Sequence, residues 1–373
     1  MAAMRIRMVQ GIVRVAVFAA IVCISSAVSV AGGHSGAVYV LTNQSTNNSV
    51  MVYSRAPDGG LSLSGSFSTG GKGVGTGADP LGSQGSLVLG RGHRLLFAVN
   101  AGSNSVSVFA VEGLKLHLLD KAPSGGQMPV SIAIHGRLLY VLNAGGTPNI
   151  KGFIIGPFTG HLFPLRGSRR MLPGGASAAP AEVAFSPDGS VLMVTEKGTS
   201  KIDTYSVNDD GYAENATTVN SNGATPFGFT FIHRGFAIVS EAGPSALSSY
   251  EVDEDGDVEL VTGSLGDGQK ANCWVVATEG GRFAYTSNTG TGNISSYTVS
   301  ADGVLSLLDA TAGVTGTGSA PIDMALSTDG RFLYVRDGLK NVVDGFRVEA
   351  DGSLTPVGSA SGVPADAQGI AAR

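Results

Sequence analysis

A sevenfold repeat is the feature that most restricts what this chain can fold into. Its clearest copy, residues 321–356, holds four short apolar or alternating segments, with an Asp-Gly pair after the first and after the third. Asp-Gly between alternating segments is a strong hairpin signal, because glycine readily takes the positive φ of a tight turn. Each copy is therefore predicted to be a four-stranded antiparallel sheet, with strands A to D in chain order.

The copies can be aligned on the residue that ends strand B, which recurs every 43 to 57 residues. These residues are Asn43, Asn100, Asn143, Glu196, Glu241, Asn288 and Asp337. Seven four-stranded repeats of this length are typical of a β-propeller, in which each sheet is one blade. The first blade lacks a strand A before residue 37, and residues 366–372 can supply it. The sequence thus predicts an all-β, seven-bladed propeller of antiparallel blades, closed by its C-terminal strand.

Residues 1–31 stand apart from the repeat. Arg5, Arg7 and Arg14 precede an apolar segment, residues 15–24, and small residues lead up to Ala31. This pattern is typical of a secretory signal peptide, and its apolar part is too short to span a bilayer. We expect cleavage near Ala31, a secreted or periplasmic protein without a membrane anchor, and a single monomeric propeller domain over residues 32–373.

The composition restricts the partners. Charged residues make up only 14% of the chain and the net charge is −5, so no strong basic field predicts a nucleic-acid partner. The glycine-rich connector, residues 68–85, has no helix after it to form a phosphate site, so we expect a flexible loop there. Trp274 is predicted to pack between blades, and Cys273 to be a small buried thiol.

Chain direction places candidate site residues on one face of the ring. Strand A begins and strand B ends at the same face, here called the upper face, which also carries the D–A connectors and the B–C loops. Propeller ligands are expected at the mouth of the central channel on such a face. None of the six histidines is predicted there, so the sequence does not support a Ser–His–Asp triad.

Two motifs carry a resemblance to a known family. Residues 186–194 read Ser-Pro-Asp-Gly-Ser-Val-Leu-Met-Val, and residues 139–143 read Leu-Tyr-Val-Leu-Asn. With the repeat, they make residues 36–373 similar to the seven-bladed lactonase family, the 6-phosphogluconolactonase-like and carboxymuconate-cyclase-like propellers. The resemblance implies a lactone hydrolase or a cycloisomerase-like enzyme. It also implies a Pro-Arg-His motif at the start of the fourth strand A, where this chain has Pro180-Ala181-Glu182.

Carboxylates on the upper face are the candidates to replace the missing Arg-His pair. We predict that Glu182, Glu196 and Glu241 converge there as catalytic groups, or share a Ca²⁺ ion, since such an ion prefers oxygen ligands. The candidate substrate-binding residues are Asn100, Asn143, Asn288, Asp323, Asp337, Arg336 and Arg169. The alternative is that the asparagines and aspartates cap their own B–C turns through side-chain hydrogen bonds.

Three functions therefore remain open at the level of the sequence. The first is a secreted lactone hydrolase whose substrate is a small lactone. The second is a non-catalytic propeller that binds an extracellular protein or carbohydrate. The third is a calcium-binding propeller. The family resemblance favours the first function, whereas the missing Arg-His pair favours the second.

Overall fold

The computed structural model describes residues 36–75, 77–90 and 92–373. The predicted signal peptide, residues 1–31, lies outside the described residues. Within them the chain forms seven antiparallel sheets arranged as the blades of a propeller, as predicted. None of the helices in the described residues is long and apolar enough to cross a membrane.

The strands are numbered in chain order, and each blade runs from its inner to its outer strand. Blade one consists of β29 (Ile370–Ala372), β1 (Gly36–Leu41), β2 (Ser49–Arg55) and β3 (Leu61–Ser68). Blade two consists of β4 (Leu87–Gly90), β5 (Leu95–Asn100), β6 (Ser105–Glu112) and β7 (Lys115–Pro123). Blade three consists of β8 (Gln127–His135), β9 (Leu138–Gly145), β10 (Asn149–Ile155) and β11 (Leu162–Pro164), with β12 (Arg170–Met171) also pairing with β10.

The other four blades follow the same order. Blade four consists of β13 (Pro180–Phe185), β14 (Val191–Glu196), β15 (Lys201–Ser206) and β16 (Thr217–Asn220). Blade five consists of β17 (Pro226–Phe231), β18 (Phe236–Glu241), β19 (Ala246–Val252) and β20 (Val258–Gly266). Blade six consists of β21 (Asn272–Ala277), β22 (Phe283–Asn288), β23 (Asn293–Val299) and β24 (Leu305–Val314). Blade seven consists of β25 (Pro321–Leu326), β26 (Phe332–Asp337), β27 (Val342–Val348) and β28 (Leu354–Ser361). Three 3₁₀ turns complete the described elements: Ala101–Ser103, Gly175–Ser177 and His233–Gly235.

Local sequence explains the blades. In the clearest repeat, the glycines of the two Asp-Gly turns, Gly330 and Gly352, have φ of 66° and 87°, which a side chain would disfavour. The second strand is buried along its whole length in every blade except the third, where the ends of β9 are partly exposed, whereas the outer strands are largely exposed. The inner strands pack between neighbouring blades and are mostly apolar, with the carboxyl groups of Glu182 and Asp323 as exceptions.

The C-terminal strand closes the ring, as predicted. Ile370, Ala371 and Ala372 pair with Val40, Tyr39 and Val38 of β1 in antiparallel register. Two buried arginines strengthen this junction. Arg55 of blade one forms an ion pair of 3.0 Å with Asp329 of blade seven, and Arg336 donates to the carbonyls of Pro364 and Ala367.

The inner strands carry a second feature that the repeat did not predict. The pairing register between strands A and B shifts near the upper end of blades three to seven. In blades four and seven the shift falls around Ala181 and Asp323, and Asp323 takes the left-handed φ of 50°. Such bulges redirect side chains. The residues at the channel mouth are therefore not placed by simple strand alternation.

Candidate functional site

The side chain of Gln84 fills the central channel at the level of the inner-strand bulges. Its Nε2 donates to Oε1 of Glu182 at 3.3 Å and to the carbonyls of Phe229 and Val275 at 3.2 and 2.9 Å. Its Oε1 accepts from the amide of Val275 at 3.1 Å. A single side chain from the edge of blade two thus contacts blades four, five and six. This amide occupies the space where a channel ligand was expected.

Gln84 reaches the channel because the connector before it folds over the upper face. The amide of Gly73 donates to the carbonyl of Gln44, and that of Gly102 to Lys72. Further on, the amide of Leu81 donates to Oε1 of Gln368 at 2.8 Å. The sequence predicted a flexible loop here, whereas the described residues of the connector are tied to blades one, two and four.

Two buried carboxyl groups face the channel beneath the connector. Glu182 accepts from the amide of Phe229 at 2.6 Å, and Asp323 lies close enough to interact with it electrostatically. Burial raises the pKa of Glu182 well above its ordinary value, and the charge of Asp323 raises it further. Burial also raises the pKa of Asp323 to about 8. Asp323 is therefore largely protonated at neutral pH, and Glu182 holds its proton more tightly than an ordinary glutamate does.

The other two predicted catalytic glutamates lie elsewhere, inside their own blades. Glu196 accepts from the amide of Gly174 at 2.9 Å and from the hydroxyl of Thr199. Glu241 accepts from the hydroxyls of Ser248 and Ser264 at 2.6 and 2.5 Å, among other donors. The predicted convergence of the three carboxylates is therefore wrong. Glu196 and Glu241 each end strand B and bond to residues of their own blade and its connector, whereas Glu182 of the inner strand faces Gln84 in the channel.

Glu196 has a carboxyl neighbour, but it is not Glu182. Asp203 of β15 lies beside it, and burial and the Glu196 carboxylate raise the pKa of Asp203 to about 8. Its Oδ1 accepts from the hydroxyl of Thr218 at 2.7 Å. This pair is enclosed within blade four. Among the described residues, no group of three or more His, Cys, Asp or Glu is placed to hold a metal ion.

The three predicted asparagines join strands B and C of their blades. Nδ2 of Asn288 donates to Oδ1 of Asn293 and to the hydroxyl of Ser295, both at 2.8 Å. Asn100 and Asn143 make equivalent bonds to Ser107 and Asn149. All three asparagines are fully buried. These bonds go to side chains of strand C and not to the backbone of the B–C turn, so they differ from the turn-capping alternative. The role of the three asparagines in substrate binding stays a prediction.

The remaining predicted residues divide between structure and surface. Oδ1 of Asp337 accepts from the amides of Leu339 and Lys340 at 3.1 and 3.0 Å, which caps the B–C turn of blade seven. Arg336 is fully buried against backbone carbonyls, and burial lowers its pKa to about 10. It cannot meet a ligand at the surface. Arg169, in contrast, is exposed and lines a cavity of about 620 Å³ on the upper face.

Asp79 and Lys197, which sequence analysis did not single out, face one small space at the channel mouth. A Cβ atom placed on Gly82 would lie 2.9 Å from Nζ of Lys197 and 4.0 Å from Oδ2 of Asp79. Among the described residues, the Lys197 ammonium and the Asp79 carboxylate are more than 4.0 Å apart, too far for an ion pair. Nζ of Lys197 donates to the carbonyl of Gly82, and the Gly82 amide donates to Oδ1 of Asp79 at 2.9 Å.

The surroundings of this pair shift the pKa of each group so that its uncharged form is favoured. Desolvation raises the pKa of Asp79 despite the charge of Lys197. Desolvation likewise lowers the pKa of Lys197, which Asp79 partly offsets. Nζ also lies 4.5 Å from the centre of the Phe227 ring, a cation–π contact that favours the charged amine. A carboxylate and an amine tuned in this way are suited to acid–base chemistry.

Aromatic and thiol groups complete the mouth. Trp274 packs 4.8 Å from Phe227 of the next blade and donates through Nε1 to the carbonyl of Ser83 at 2.9 Å. It therefore holds the connector as well as packing between blades. Cys273 is buried, and burial raises the pKa of its thiol to about 12, so it is not a nucleophile at neutral pH.

Sequence reasoning could have found Lys197 but not Asp79. Lys197 directly follows Glu196 at the end of strand B, where the repeat already drew attention. Asp79 lies in an irregular connector that follows no period, and only its path across the ring brings it to the mouth. Ala181 and Glu182 stand where the resemblance implies an Arg-His pair: Ala181 is fully buried at the bulge, and Glu182 accepts a hydrogen bond from Gln84.

Comparison with known proteins supports the resemblance noted above. The family described as "Lactonase, 7-bladed beta-propeller" matches residues 167–262 and 234–323. None of the curated proteins matches the sequence.

Solved structures share the fold at low sequence identity. A protein from Lactobacillus plantarum superposes with a TM-score of 0.72 at 18% identity, over 91% of this chain and 99% of that one. The periplasmic gluconolactonase of Pseudomonas aeruginosa gives 0.68 at 19%, over 89% and 98%. A candidate 6-phosphogluconolactonase from Bacteroides fragilis gives 0.66 at 18%, over 91% and 98%. At these identities the similarity establishes the fold alone.

Proposed function

This chain is a seven-bladed propeller that resembles the lactonase family, and we propose that it hydrolyses a small lactone at the upper mouth of its channel. The observation that carries the proposal is the pair Asp79 and Lys197. They face one space without neutralising each other, and each has a pKa shifted by desolvation toward neutral pH. The gluconolactonase among the structural neighbours supports a sugar lactone as the substrate class.

The proposed reaction needs only groups present at the mouth. Asp79, as a carboxylate, removes a proton from a water molecule that attacks the lactone carbonyl carbon. Lys197, as an ammonium, stabilises the negative charge that develops on the carbonyl oxygen. The ring C–O bond then breaks, and the protonated Asp79 returns its proton to the leaving alkoxide. One water is consumed, and the product is a hydroxy acid.

The proposal includes a location and a substrate restriction. Because residues 1–31 resemble a signal peptide, we propose that the protein works outside the cytoplasm. Sugar phosphates are cytosolic metabolites, and the arginine that the family uses to hold an anionic substrate is replaced by Ala181. Lactones without a phosphate group are therefore the expected substrates, and 6-phosphogluconolactone should not be turned over above its spontaneous rate.

A second candidate function is binding without catalysis. Gln84 fills the channel with four hydrogen bonds, and the Arg-His pair is absent. Both observations favour a propeller that only presents its upper loops to an extracellular protein or carbohydrate. A calcium-dependent function has less support, because Glu182, Glu196 and Glu241 do not share one site.

The test is hydrolysis of a panel of phosphorylated and unphosphorylated lactones, followed by acid release at constant pH. Asp79→Asn and Lys197→Met should each lower kcat/KM by about 100-fold or more, as expected for loss of an acid–base or charge-stabilising group. Asp366→Asn and Lys270→Met are matched controls, because both residues lie on upper connectors and should leave the rate unchanged.

The alternatives predict different results in the same assay. A wild-type protein that never exceeds the spontaneous rate, with or without added Ca²⁺, would leave binding as the function. Activity that survives both Asp79→Asn and Lys197→Met would contradict this site and require a base elsewhere. Activity lost only on addition of a chelator would favour the calcium-dependent reading.

A further inference from the structure

The exposed Arg169 lines a second recess on the upper face, built from loops of blades two and three. Its volume is about 620 Å³, within the usual range for small-molecule sites. The side chains that matter for the argument are Ser103, Asn104, Gln127, Thr147, Asn149 and Arg169. Neither Asp79 nor Lys197 lines this cavity, and it holds no group that could act as a general base. This cavity is therefore separate from the proposed hydrolytic site at Asp79 and Lys197.

The charge of the cavity has one sign. Arg169 is the only charged residue of the lining, and no carboxylate is among the lining residues. Lys151 lies close enough for Arg169 to lower its pKa, although burial is the larger cause. Neither cation has a carboxylate within ion-pair distance in the described part of the chain. Lys151 is held by the carbonyl of Leu165 and the hydroxyl of Ser168, so Arg169 is the cation that the cavity presents, and a guanidinium without a counter-charge favours an anionic ligand.

The lining also offers hydrogen-bonding groups that the fold leaves unused. Asn104 accepts from the amide of Met128 at 2.8 Å through Oδ1, which leaves its Nδ2 available. The side chains of Gln127 and Thr147 are exposed and make no hydrogen bond to other described residues. At the floor, Asn149 is buried, and its Nδ2 is held by the carbonyl of Thr147 at 3.1 Å. The walls are therefore fixed, with several polar groups free to bind.

The loops that form the walls are tied across the two blades. Gln127 pairs with Gly145, which extends the first hairpin of blade three upward as one wall. The hydrogen bond between Asn104 and Met128 joins that hairpin to blade two. Pro123 is the one lining residue with an apolar ring or chain, so the cavity has no pocket for a large apolar side chain. A hydroxylated ligand fits this lining better than a peptide does.

We propose that this cavity binds a sugar carboxylate, such as a uronate or an aldonate. The planar guanidinium of Arg169 is suited to pair with the carboxylate through two hydrogen bonds. Asn104, Gln127 and Thr147 bind the hydroxyl groups. This site is separate from Asp79 and Lys197, so it stands whether or not the channel mouth hydrolyses lactones.

The test is calorimetric titration of the mature protein with glucuronate, gluconate, glucose and inorganic phosphate. Both sugar acids should bind. Glucose and phosphate should bind at least about tenfold more weakly, because glucose lacks the carboxylate and phosphate lacks the sugar hydroxyl groups. Arg169→Gln should weaken sugar-acid binding about tenfold or more, and Thr147→Val by less. Arg166→Gln, an exposed arginine of the same connector outside the lining, is the matched control.

Three results would overturn the proposal. No heat or chemical-shift change with either sugar acid at tens of millimolar would show that the cavity does not bind this class. Equal affinity for phosphate would make it a general anion site. Unchanged affinity in Arg169→Gln, with an unchanged melting temperature, would place the binding elsewhere. Titration of Asp79→Asn separates the two proposals, because it should retain sugar-acid binding while lactone hydrolysis is lost.

Discussion

Single residues in this protein gain their properties from burial more than from their neighbours' charges. Glu182 and Asp323 are both enclosed at the channel and both hold raised pKa values, for which desolvation is the largest cause. Asp323 also lowers the stability of the folded state, because its buried Oδ2 has no hydrogen-bond partner among the described residues. A buried carboxyl group of this kind makes stability depend on pH.

We predict that Asp323→Asn stabilises the protein at mildly alkaline pH. The folded-state pKa of Asp323, about 8, exceeds its ordinary value of 3.8, so the folded state keeps a proton that the unfolded state has lost. The contribution of this group to stability therefore falls as pH rises from about 4 to about 8, and is constant above that. The asparagine does not titrate.

Urea unfolding at several pH values checks this prediction. The free energy of unfolding of Asp323→Asn should exceed that of the wild type by on the order of 1–3 kcal/mol at pH 8, with a much smaller difference near pH 4.5. Asp366→Asn, on a connector, should show no such trend. A difference that does not change with pH would mean that Asp323 is not buried as an acid.

The proposed catalytic residues predict a second pH dependence, in the rate. Asp79 must be ionised to act as a base, and its pKa is raised. Activity should therefore increase with pH in a transition whose midpoint lies above 3.8, the ordinary pKa of an aspartate. Lys197 must be protonated, and its pKa is lowered. Activity should therefore decline at alkaline pH in a transition whose midpoint lies below 10.5, the ordinary pKa of a lysine. A plot of kcat/KM against pH should be bell-shaped. Loss of the alkaline limb alone in Lys197→Met would support the assignment, and an unchanged profile would contradict it.

At the scale of elements, the connector of residues 68–85 differs most from its counterparts in the other blades. It leaves blade one, contacts Asn43 and Gln44, and ends with Gln84 inside the channel. Trp274 and Gln368 both donate to the carbonyl of Ser83, which fixes the last turn of the connector. The connector therefore supplies Asp79 to the mouth and closes the channel beneath it.

We predict that Gln84→Leu destabilises the ring. The substitution removes the partner of the Val275 amide and carbonyl, and leaves these buried groups unpaired at a cost of about 1–3 kcal/mol. The midpoint of urea unfolding measures the loss. Gln44→Leu, an exposed glutamine on the same face, is the control. An unchanged midpoint in Gln84→Leu would show that the channel is not filled in this way.

At the scale of the whole molecule, stability depends on closing the ring. Blade one has only three strands until β29 pairs with β1. The segment before β29 is also anchored, because Nδ2 of Asn43 donates to the carbonyl of Gln368 at 2.8 Å and Arg336 holds Pro364 and Ala367. Open blades expose strand edges and apolar faces, which favour aggregation.

We predict that deletion of residues 364–373 abolishes cooperative unfolding. The deletion removes the inner strand of blade one and leaves Arg336 buried without its carbonyl partners, a loss comparable to a total stability of about 5–15 kcal/mol. Differential scanning calorimetry and urea unfolding should show a broad, weak transition or aggregation. A truncated protein that melts within a few degrees of the complete chain would contradict this topology.

The number of blades, their strand order and the closing strand could all be predicted from the amino-acid sequence. Those features depend on local signals, namely Asp-Gly turns that require positive φ and the residue that ends strand B, and each repeat restates them independently. The same signals placed Asn100, Asn288, Glu196, Glu241 and Asp337 correctly at the ends of strand B, whereas in blade three the strand continues two residues past Asn143. The repeat therefore predicted position along each strand reliably.

Which of these side chains come into contact depends on the tertiary structure and could not be predicted from the repeat. A bulge turned Asp323 toward the channel, and the register between strands B and C held Glu196 and Glu241 inside their blades. Asp79 and Gln84 reach the mouth through an irregular connector whose path is set by contacts with residues far away in sequence. The direction of a side chain at a strand end depends on such non-local pairing, so a local repeat cannot encode it.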